Sequence, residues 1–333
     1  MKNKVVVGLI LIFILLGVFI VWIFNGTNTD KSEIYIKTGS NPDSLYGTIM
    51  RSDLIHSKFS FDLAWYFMDI KKVYPGKYLI TETMTNREII NMFKYGKQTE
   101  IDFRFGNNIL PHELYGALGK KFESDSVEFA KAIEDTVPLR ALGLDKNSVL
   151  AMFWADTYRF SWSISPDKMV RRFIDEQQKF WDSERFNLLG KTGLKSAKEV
   201  YVLASIVEKE AVKEFELPII AGVYINRLRI GMPLQADPTV KYAAGIRSMQ
   251  RVKGILDIES PYNTYKYKGL PPGPIGIATK KGVDQVLNFK KHDYLYFCAK
   301  EDFSSTHYFT KSYTEHQKNA RKYRAALDAR GIK

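Results

Sequence analysis

Residues 5–24 read VVVGLILIFILLGVFIVWIF, a run of 20 residues without a charged or amide side chain. At a rise of about 1.5 Å per residue, a helix of this length just crosses the ~30 Å hydrocarbon layer of a membrane. A cleaved signal peptide has a shorter apolar core that ends in small residues, whereas this run ends in Trp22, Ile23 and Phe24. The stretch therefore predicts a single, uncleaved transmembrane helix that determines where the rest of the chain lies.

The charges beside this run predict its orientation. Lys2 and Lys4 precede it, while residues 25–30 carry no positive charge. Because lysine and arginine favour the cytoplasmic side of a membrane, we expect residues 1–4 in the cytoplasm. The chain from about residue 31 onward is then expected on the periplasmic or extracytoplasmic side of the cytoplasmic (inner) membrane.

The composition limits the class of partner. The 333 residues include 49 Lys and Arg against 37 Asp and Glu, a net charge of +12. Such an excess suits phosphates, carboxylates or an anionic membrane. Since only two of these lysines precede the helix, a charge of +10 faces the cell envelope, and we expect no nucleic acid partner.

The cysteine and histidine content excludes other classes of site. Cys298 is the single cysteine, so the chain has no intramolecular disulfide and no zinc cage built from paired cysteines. Its apolar neighbours over residues 294–299 predict a short buried strand. The five histidines show no HExxH spacing, and we expect neither a metal nor a cofactor.

A small unit is predicted over residues 33–100. Strand patterns lie at residues 33–40 and 75–80; helical patterns lie between them and over residues 83–95, where Thr85 and Glu88 have capping-box spacing. This order, with the turn at residues 75–78 (PGKY), resembles the LysM-like modules found beside cell-wall enzymes, which implies contact with glycan. The alternative is a spacer that only sets the height of the next domain above the membrane.

The remainder, residues 101–333, is predicted to be a mixed α+β domain. A strand pattern at residues 100–105 is followed by helical patterns at residues 111–122, 126–135, 147–153, 166–181 and 196–212. Strand patterns return at residues 294–299 and 307–309. The predicted fold class is α+β: one transmembrane helix over residues 5–24, a small LysM-like α/β module, and the mixed domain.

The strongest candidate for catalysis lies in the helix VYVLASIVEKEA, residues 200–211. A carboxyl group with an apolar surrounding can have a pKa near neutrality, as a general acid requires. Glu208 and Glu210 both have apolar neighbours at helical spacing, and residues two apart point about 200° away from each other. Periodicity does not choose between them. The alternative is an exposed, charged helix end.

Several separate motifs resemble one known family. They are LASIVEKE at residues 203–210, NRL at 226–228, LQADPTV at 234–240, YNTY at 262–265, GLPPGPI at 269–275 and DTYRF at 156–160. In this order, and behind a membrane anchor, they resemble the endolytic murein transglycosylases of the MltG, or YceG-like, family. The resemblance covers nearly the whole chain after the anchor.

The resemblance implies an enzyme that cleaves the MurNAc-GlcNAc bond inside nascent peptidoglycan strands without water. The C6 hydroxyl of the muramoyl residue attacks, which leaves a 1,6-anhydro end, and one glutamate acts first as acid and then as base. The family motif places this glutamate at Glu208. The resemblance also implies penicillin-binding protein synthases as partners.

Five further side chains are candidates for substrate contact in a groove around Glu208. Gln235 and Asn263 carry amides that can bond sugar hydroxyls and N-acetyl groups, and Tyr262 and Tyr265 can stack on pyranose rings. Asp237 belongs to the same motif as Gln235, LQADPTV. Each has a structural alternative: Asp237 can cap the following helix, and Tyr262 can belong to the core.

Two other functions remain open. A hydrolase needs a second carboxylate, for which Glu216 and Asp237 are the nearest in sequence. A non-enzymatic glycan-binding scaffold would use the LysM-like unit and leave Glu208 without a role. His307 could lie near the site, but a histidine beside a strand is more often a structural donor.

Overall fold

The apolar run forms one uninterrupted helix, α1 (Lys2–Asn25). Within its part Lys4–Asn25, an 18-residue stretch has a mean hydropathy of 3.2. The large apolar side chains from Val5 to Trp22 are exposed, whereas Ile23 is buried. By length and composition α1 is therefore able to cross a membrane, and its exposed surface differs from that of a core helix.

The computed structural model describes residues 2–25, 31–52, 54–246 and 254–331. The chain divides into two compact units. The first comprises residues 1–103, 121–124 and 159–164, and the second comprises residues 104–120, 125–158 and 165–333.

The first unit contains an antiparallel strand pair and the helices that accompany it. β1 (Ser32–Ile36) pairs with β2 (Gly76–Ile80), with Ser32 opposite Ile80 and Ile36 opposite Gly76. Helices α2 (Pro42–Arg51) and α3 (Lys58–Met68) lie between the strands in sequence, and α4 (Asn86–Lys94) follows. The first predicted strand is shorter than its pattern and ends at Ile36.

The predicted capping box begins α4. The Thr85 backbone N–H donates to the Glu88 carboxylate (2.8 Å), and the Glu88 N–H donates to the Thr85 hydroxyl (3.2 Å). These bonds satisfy donors that a helix start leaves free. The apolar face of α4, with Ile89, Ile90 and Phe93, is then buried in the core of the unit.

The remaining elements confirm the α+β fold class. β3 (Ile101–Arg104) pairs with β4 (Thr157–Phe160), and β5 (Tyr296–Ala299) forms an antiparallel hairpin with β6 (His307–Thr310). The helices are α5 (Pro111–Lys121), α6 (Ser126–Ile133), α7 (Thr136–Ala141), α8 (Pro166–Phe180), α9 (Ser183–Thr192), α10 (Ala197–Glu210), α11 (Leu217–Arg229), α12 (Asp237–Ala243), α13 (Lys280–Leu287) and α14 (Tyr313–Ala329). The helix predicted over residues 147–153 is a 3₁₀ helix, Lys146–Met152.

Helix α10 runs through the core of the second unit. Its eight residues 200–207 are all buried, so the helix is enclosed on every side rather than on one stripe. The Tyr201 hydroxyl lies 3.1 Å and 2.6 Å from the carbonyl oxygens of Leu150 and Phe153. The helix ends at Glu210, and its last residues are the first to leave the core.

The predicted strand around Cys298 is present as β5, where Cys298 lies opposite Tyr308. Its side chain is half-buried rather than fully enclosed. Burial raises the pKa of the Cys298 thiol, which keeps the group protonated and unreactive at neutral pH.

Candidate active site

The Glu208 carboxyl group lies where α10 leaves the core. Its two oxygens accept hydrogen bonds from Thr279, one from the backbone N–H (3.1 Å) and one from the hydroxyl group. Burial raises the pKa of Glu208 even though these bonds and the Lys209 ammonium lower it. Desolvation disfavours the charged form, so the carboxyl group is held in place and keeps its proton to a higher pH than an exposed glutamate.

The segment that carries Thr279 is attached to α10. The Ser205 hydroxyl accepts from the Ile275 N–H (3.1 Å), and the Tyr201 hydroxyl accepts from the Ala278 N–H (2.9 Å). Because residues 270–274 include three prolines, this loop has little conformational freedom. The segment that leads to Thr279 is therefore fixed against α10, which places Thr279 beside Glu208.

Gly282 allows α13 to approach the carboxyl group. Thr279 caps α13, because its hydroxyl oxygen accepts from the Gly282 N–H (2.8 Å). A Cβ atom on Gly282 would lie 2.3 Å from Cδ of Glu208, which is closer than two carbon atoms can pack. The site therefore needs glycine at this position.

Two cavities meet beside this carboxyl group. The first, of about 290 Å³, is lined by Glu208, Lys209, Asn107, Asn108, Leu110, Pro238, Lys241, Tyr242, Gly245, Ile246 and Ile275. The second, of about 800 Å³, is lined among others by Thr279, Asn107, Asn108, Arg104, Glu113 and Asp156. Both include Asn107 and Asn108, and Glu208 faces one while its partner Thr279 faces the other. The two cavities, together called the groove below, therefore lie on either side of the Glu208–Thr279 pair.

Lys209 holds the loop that the two cavities share. Its ammonium group donates to the Asn107 carbonyl oxygen (3.1 Å) and to the Asn108 side-chain oxygen. The loop also packs closely against Gly276. A Cβ atom at that position would lie 2.0 Å from the Asn107 carbonyl oxygen, so only glycine allows this packing. Burial lowers the pKa of Lys209. The residue between the two glutamates therefore shapes the groove.

Glu210 lies in a different environment. It accepts a hydrogen bond from the Tyr224 hydroxyl (2.6 Å). Burial, together with the charge of Asp237, raises the pKa of Glu210 to about 7. Glu210 is not among the residues that line either cavity beside Glu208. The structure thus separates two glutamates that periodicity treats alike.

Gln235 and Asp237 lie in one segment, which is hydrogen-bonded to the segment that contains Thr264 and Tyr265. Gln235 is exposed and has a φ of 50°, a left-handed conformation that costs energy for a residue other than glycine. Its N–H donates to the Thr264 carbonyl oxygen (3.0 Å). Asp237 accepts from the Tyr265 hydroxyl (2.6 Å) and forms no side-chain cap on α12. Asp237 and Tyr265, both predicted to contact the substrate, therefore bind each other.

Asn263 and Tyr262 have mainly structural contacts. Asn263 is fully buried, and its amide donates to the carbonyl oxygens of Leu256 (2.8 Å) and Ile258 (3.0 Å). These bonds use the amide donors that would bind a sugar. Tyr262 donates to the Asn147 carbonyl oxygen (3.2 Å), and its ring lies 4.9 Å from that of Tyr242 in the first cavity.

Glu216 is bound to His307. It is 2 % exposed and accepts from the His307 N–H (2.8 Å), and its other oxygen lies 2.7 Å from Nδ1 of the same residue. His307 thus has the structural role that the sequence favours. Among the described residues, no three His, Cys, Asp or Glu side chains cluster as ligands of a metal ion would.

Thr279, Asn107 and Tyr242 are among the residues at the groove that the sequence prediction did not include. Thr279 had a signal, because a threonine before a helical pattern is a cap candidate. Asn107 is 101 positions from Glu208 in the chain, and no local pattern connects them. Tyr242 lies in α12, which begins within the LQADPTV motif, and an aromatic residue in a helix is more often part of a core.

The chain resembles proteins of known family along most of its length. It matches the YceG-like family over residues 34–322. It is 30 % identical over 308 residues to the endolytic murein transglycosylase of Bacillus subtilis strain 168, which covers 87 % of this chain and 84 % of that protein. The protein of the same name from Streptococcus pneumoniae serotype 2 strain D39 is 30 % identical over 208 residues, or 60 % of this chain and 36 % of that one.

A solved structure has the same fold. The crystal structure of a YceG-like protein from Listeria monocytogenes matches with a TM-score of 0.57 and 25 % sequence identity, over 86 % of this chain and 98 % of that chain. The similarity therefore includes both the first unit and the unit that contains α10.

Proposed function

The chain belongs to the YceG-like family, and we propose that it is an endolytic murein transglycosylase in which Glu208 serves as general acid and then as general base. The observation that supports this assignment is the position of the Glu208 carboxyl group. It lies at the end of a buried helix, in the wall of a cavity, with a raised pKa and two hydrogen bonds from Thr279. A reaction that needs one carboxyl group in two protonation states fits such a site.

The proposed reaction replaces one bond between C1 and oxygen by another, and Glu208 transfers a proton in each half of it. Protonated Glu208 donates its proton to the oxygen of the MurNAc-GlcNAc bond as that oxygen leaves C1 of the muramoyl residue. The carboxylate then takes the proton of the muramoyl C6 hydroxyl, whose oxygen bonds to C1. Glu208 ends protonated, no water is consumed, and the products are a 1,6-anhydro-MurNAc end and a GlcNAc 4-hydroxyl group.

Thr279 suits both stages because a hydroxyl group can donate or accept a hydrogen bond. Its backbone N–H contributes a donor that does not move with the proton. We therefore assign Thr279 as the residue that positions Glu208. As the general acid, Glu210 fits less well than Glu208, since it binds Tyr224 and lines neither cavity.

The paired cavities support cleavage inside a strand rather than at its end. An endolytic enzyme must bind sugars on both sides of the scissile bond. The cavity of about 290 Å³ and the cavity of about 800 Å³ share Asn107 and Asn108 beside the carboxyl group. We place the strand along both, with the amides of this loop toward the sugar hydroxyl groups and Gln235 as a further contact.

The remaining partners follow from the anchor and the family. We infer that α1 holds the enzyme in the cytoplasmic membrane with both units outside, where new strands emerge, and that the LysM-like unit contacts glycan. Penicillin-binding protein synthases are the proposed protein partners. Crosslinking in intact cells should recover such a synthase with the full-length enzyme; if other synthase partners are captured and none with this enzyme, the association is rejected.

The products distinguish this enzyme from a hydrolase. Among the described residues, the Glu208 cavity has no second carboxylate, but the adjoining cavity contributes Asp156 and Glu113. We expect the full-length protein in detergent to convert uncrosslinked glycan strands to 1,6-anhydro ends, measured by mass spectrometry. Reducing ends, formed by wild type and lost in Asp156→Asn, would instead identify a two-carboxylate hydrolase. Binding without any cleavage would leave only a glycan-binding scaffold.

The rate should depend on pH through Glu208. Because the proton donor is the protonated carboxyl group and burial raises its pKa, we expect kcat/KM to fall as pH rises through that raised pKa, about tenfold per pH unit beyond it. Thr279→Val removes a hydrogen bond that favours the ionised form, so it should move the inflection to higher pH.

Glu210 is the control for this measurement, since its pKa is about 7. The inflection should persist in Glu210→Gln and respond to Thr279→Val. An inflection at or below the ordinary glutamate pKa of about 4.3, or one that disappears in Glu210→Gln, contradicts the assignment.

A further inference from the structure

The boundary between the exposed and the buried part of α1 is sharp. The large apolar side chains from Val5 to Trp22 are exposed, and Trp22 itself is 44 % exposed. One residue later, Ile23 is 2 % exposed and belongs to the core of the first unit. Its carbonyl oxygen accepts a hydrogen bond from the Asn86 amide (2.9 Å), which also donates to Ser60 (3.1 Å). The hydrophobic core of the first unit thus begins where the exposed apolar surface of α1 ends.

An exposed aromatic face lies at this boundary, on α3. Phe59, Tyr66 and Phe67 are 63 %, 77 % and 63 % exposed. Phe59 and Tyr66 are seven positions apart and so lie on the same face of the helix. The opposite face, with Phe61 and Ala64, is fully buried.

This aromatic face of α3 is continuous with the surface of α1. The Phe59 ring lies 6.2 Å from the Trp22 ring, and Trp22 stacks on Phe19 at 5.9 Å. A bilayer that surrounds α1 as far as Trp22 therefore reaches Phe59. Lys58, next to Phe59, and Lys72, shortly after α3, are exposed and suit anionic headgroups. The exposed Asp62 on the same face accepts a hydrogen bond from the Tyr46 hydroxyl (2.6 Å).

We propose that the aromatic face of α3, formed by Phe59, Tyr66 and Phe67, lies in the headgroup layer of the membrane that α1 crosses. The occupant of this face is lipid, because the face begins at the lipid-exposed end of α1. Aromatic side chains favour the membrane interface, and a helix with one apolar face can lie in its plane. The proposal rests on the inferred membrane anchor. It implies that the first unit is bound to the membrane surface and is not merely connected to the membrane by α1.

The test uses full-length protein in vesicles of phosphatidylethanolamine and phosphatidylglycerol. In a Cys298→Ala background, single cysteines replace Tyr66, Phe67, Val18 or Tyr95 and carry an environment-sensitive NBD dye. Tyr95 is the matched control, because it is an aromatic residue 62 % exposed that follows α4, nine positions from the α1 contact at Asn86. Lipids with a nitroxide near the headgroup and aqueous iodide are the two quenchers.

We expect labels at positions 66 and 67 to show blue-shifted emission, to lose most of their fluorescence to the nitroxide lipids, and to resist iodide. The label at position 95 should behave oppositely. If the label at position 18 is protected from iodide while those at 66 and 67 are as open to it as position 95, the proposal is wrong and the anchor stands. If position 18 is also open to iodide, the anchor and this proposal fail together.

Discussion

Glu208→Gln is expected to abolish formation of 1,6-anhydro ends, with a loss of roughly 10²–10⁴-fold, the usual contribution of a general acid-base group. The amide has the shape of the carboxyl group. Its oxygen can accept from the Thr279 N–H and its NH2 group can donate to the Thr279 hydroxyl oxygen, but it cannot transfer a proton. The unfolding temperature should be unchanged or higher, because the change removes a carboxyl group whose raised pKa reports unfavourable burial of its charge. Mass spectrometry of digested glycan strands and a thermal unfolding curve measure the two effects.

Glu210→Gln is the matched control, two positions away on the same helix. Its amide can accept the Tyr224 hydrogen bond, so we expect the rate to stay within a few-fold of wild type. Full activity of Glu208→Gln would reject the site. Loss in Glu210→Gln alone would move the acid two residues along the chain.

Gly282→Ala is expected to reduce the rate on the order of 100-fold while the protein stays folded. The added methyl group would lie 2.3 Å from Cδ and 2.4 Å from an oxygen of Glu208, so the carboxyl group must move. Its side chain is flexible enough to yield, which spares the fold, but a shift of about 1 Å in a catalytic group can cost this much rate. kcat and KM on glycan strands, compared with the unfolding temperature, separate displacement of the acid from unfolding.

Gly190→Ala is the control substitution. Gly190 lies in α9 with nothing within 4 Å of its added Cβ atom, so alanine should leave the rate unchanged and stabilise the helix slightly. If Gly282→Ala kept wild-type kinetics, α13 would not be holding Glu208 in its active position.

The sequence predicted the parts of the fold that depend on local pattern. The apolar run, the capping box at Thr85 and the buried helix before Glu208 are each encoded in consecutive residues. The pattern at residues 196–212 predicted α10 (Ala197–Glu210), because the eight buried residues of this helix are mostly apolar and consecutive in the chain. The 3₁₀ helix Lys146–Met152 was predicted only as a helical pattern, because seven residues do not distinguish the two helix types.

The site was less predictable because its parts come from distant segments. Thr279 binds Glu208 across 71 positions of sequence and Asn107 binds Lys209 across 102, and neither contact has a local signature. Asn263 shows the converse. Its amide looked suited to sugar, but the backbone carbonyl groups of its own loop occupy it. The choice between Glu208 and Glu210 likewise depends on tertiary packing, since only packing distinguishes Thr279 from Tyr224 as a partner.

The burial of α10 has a consequence for amide hydrogen exchange. A helix enclosed over eight residues and bonded through Tyr201 and Ser205 can exchange its central amides only when the unit opens globally. Its amides should therefore be among the slowest to exchange with deuterium. Glu208, the proposed proton donor, lies at the end of this helix, so the proposed glycan substrate would meet a carboxyl group that is already held in position.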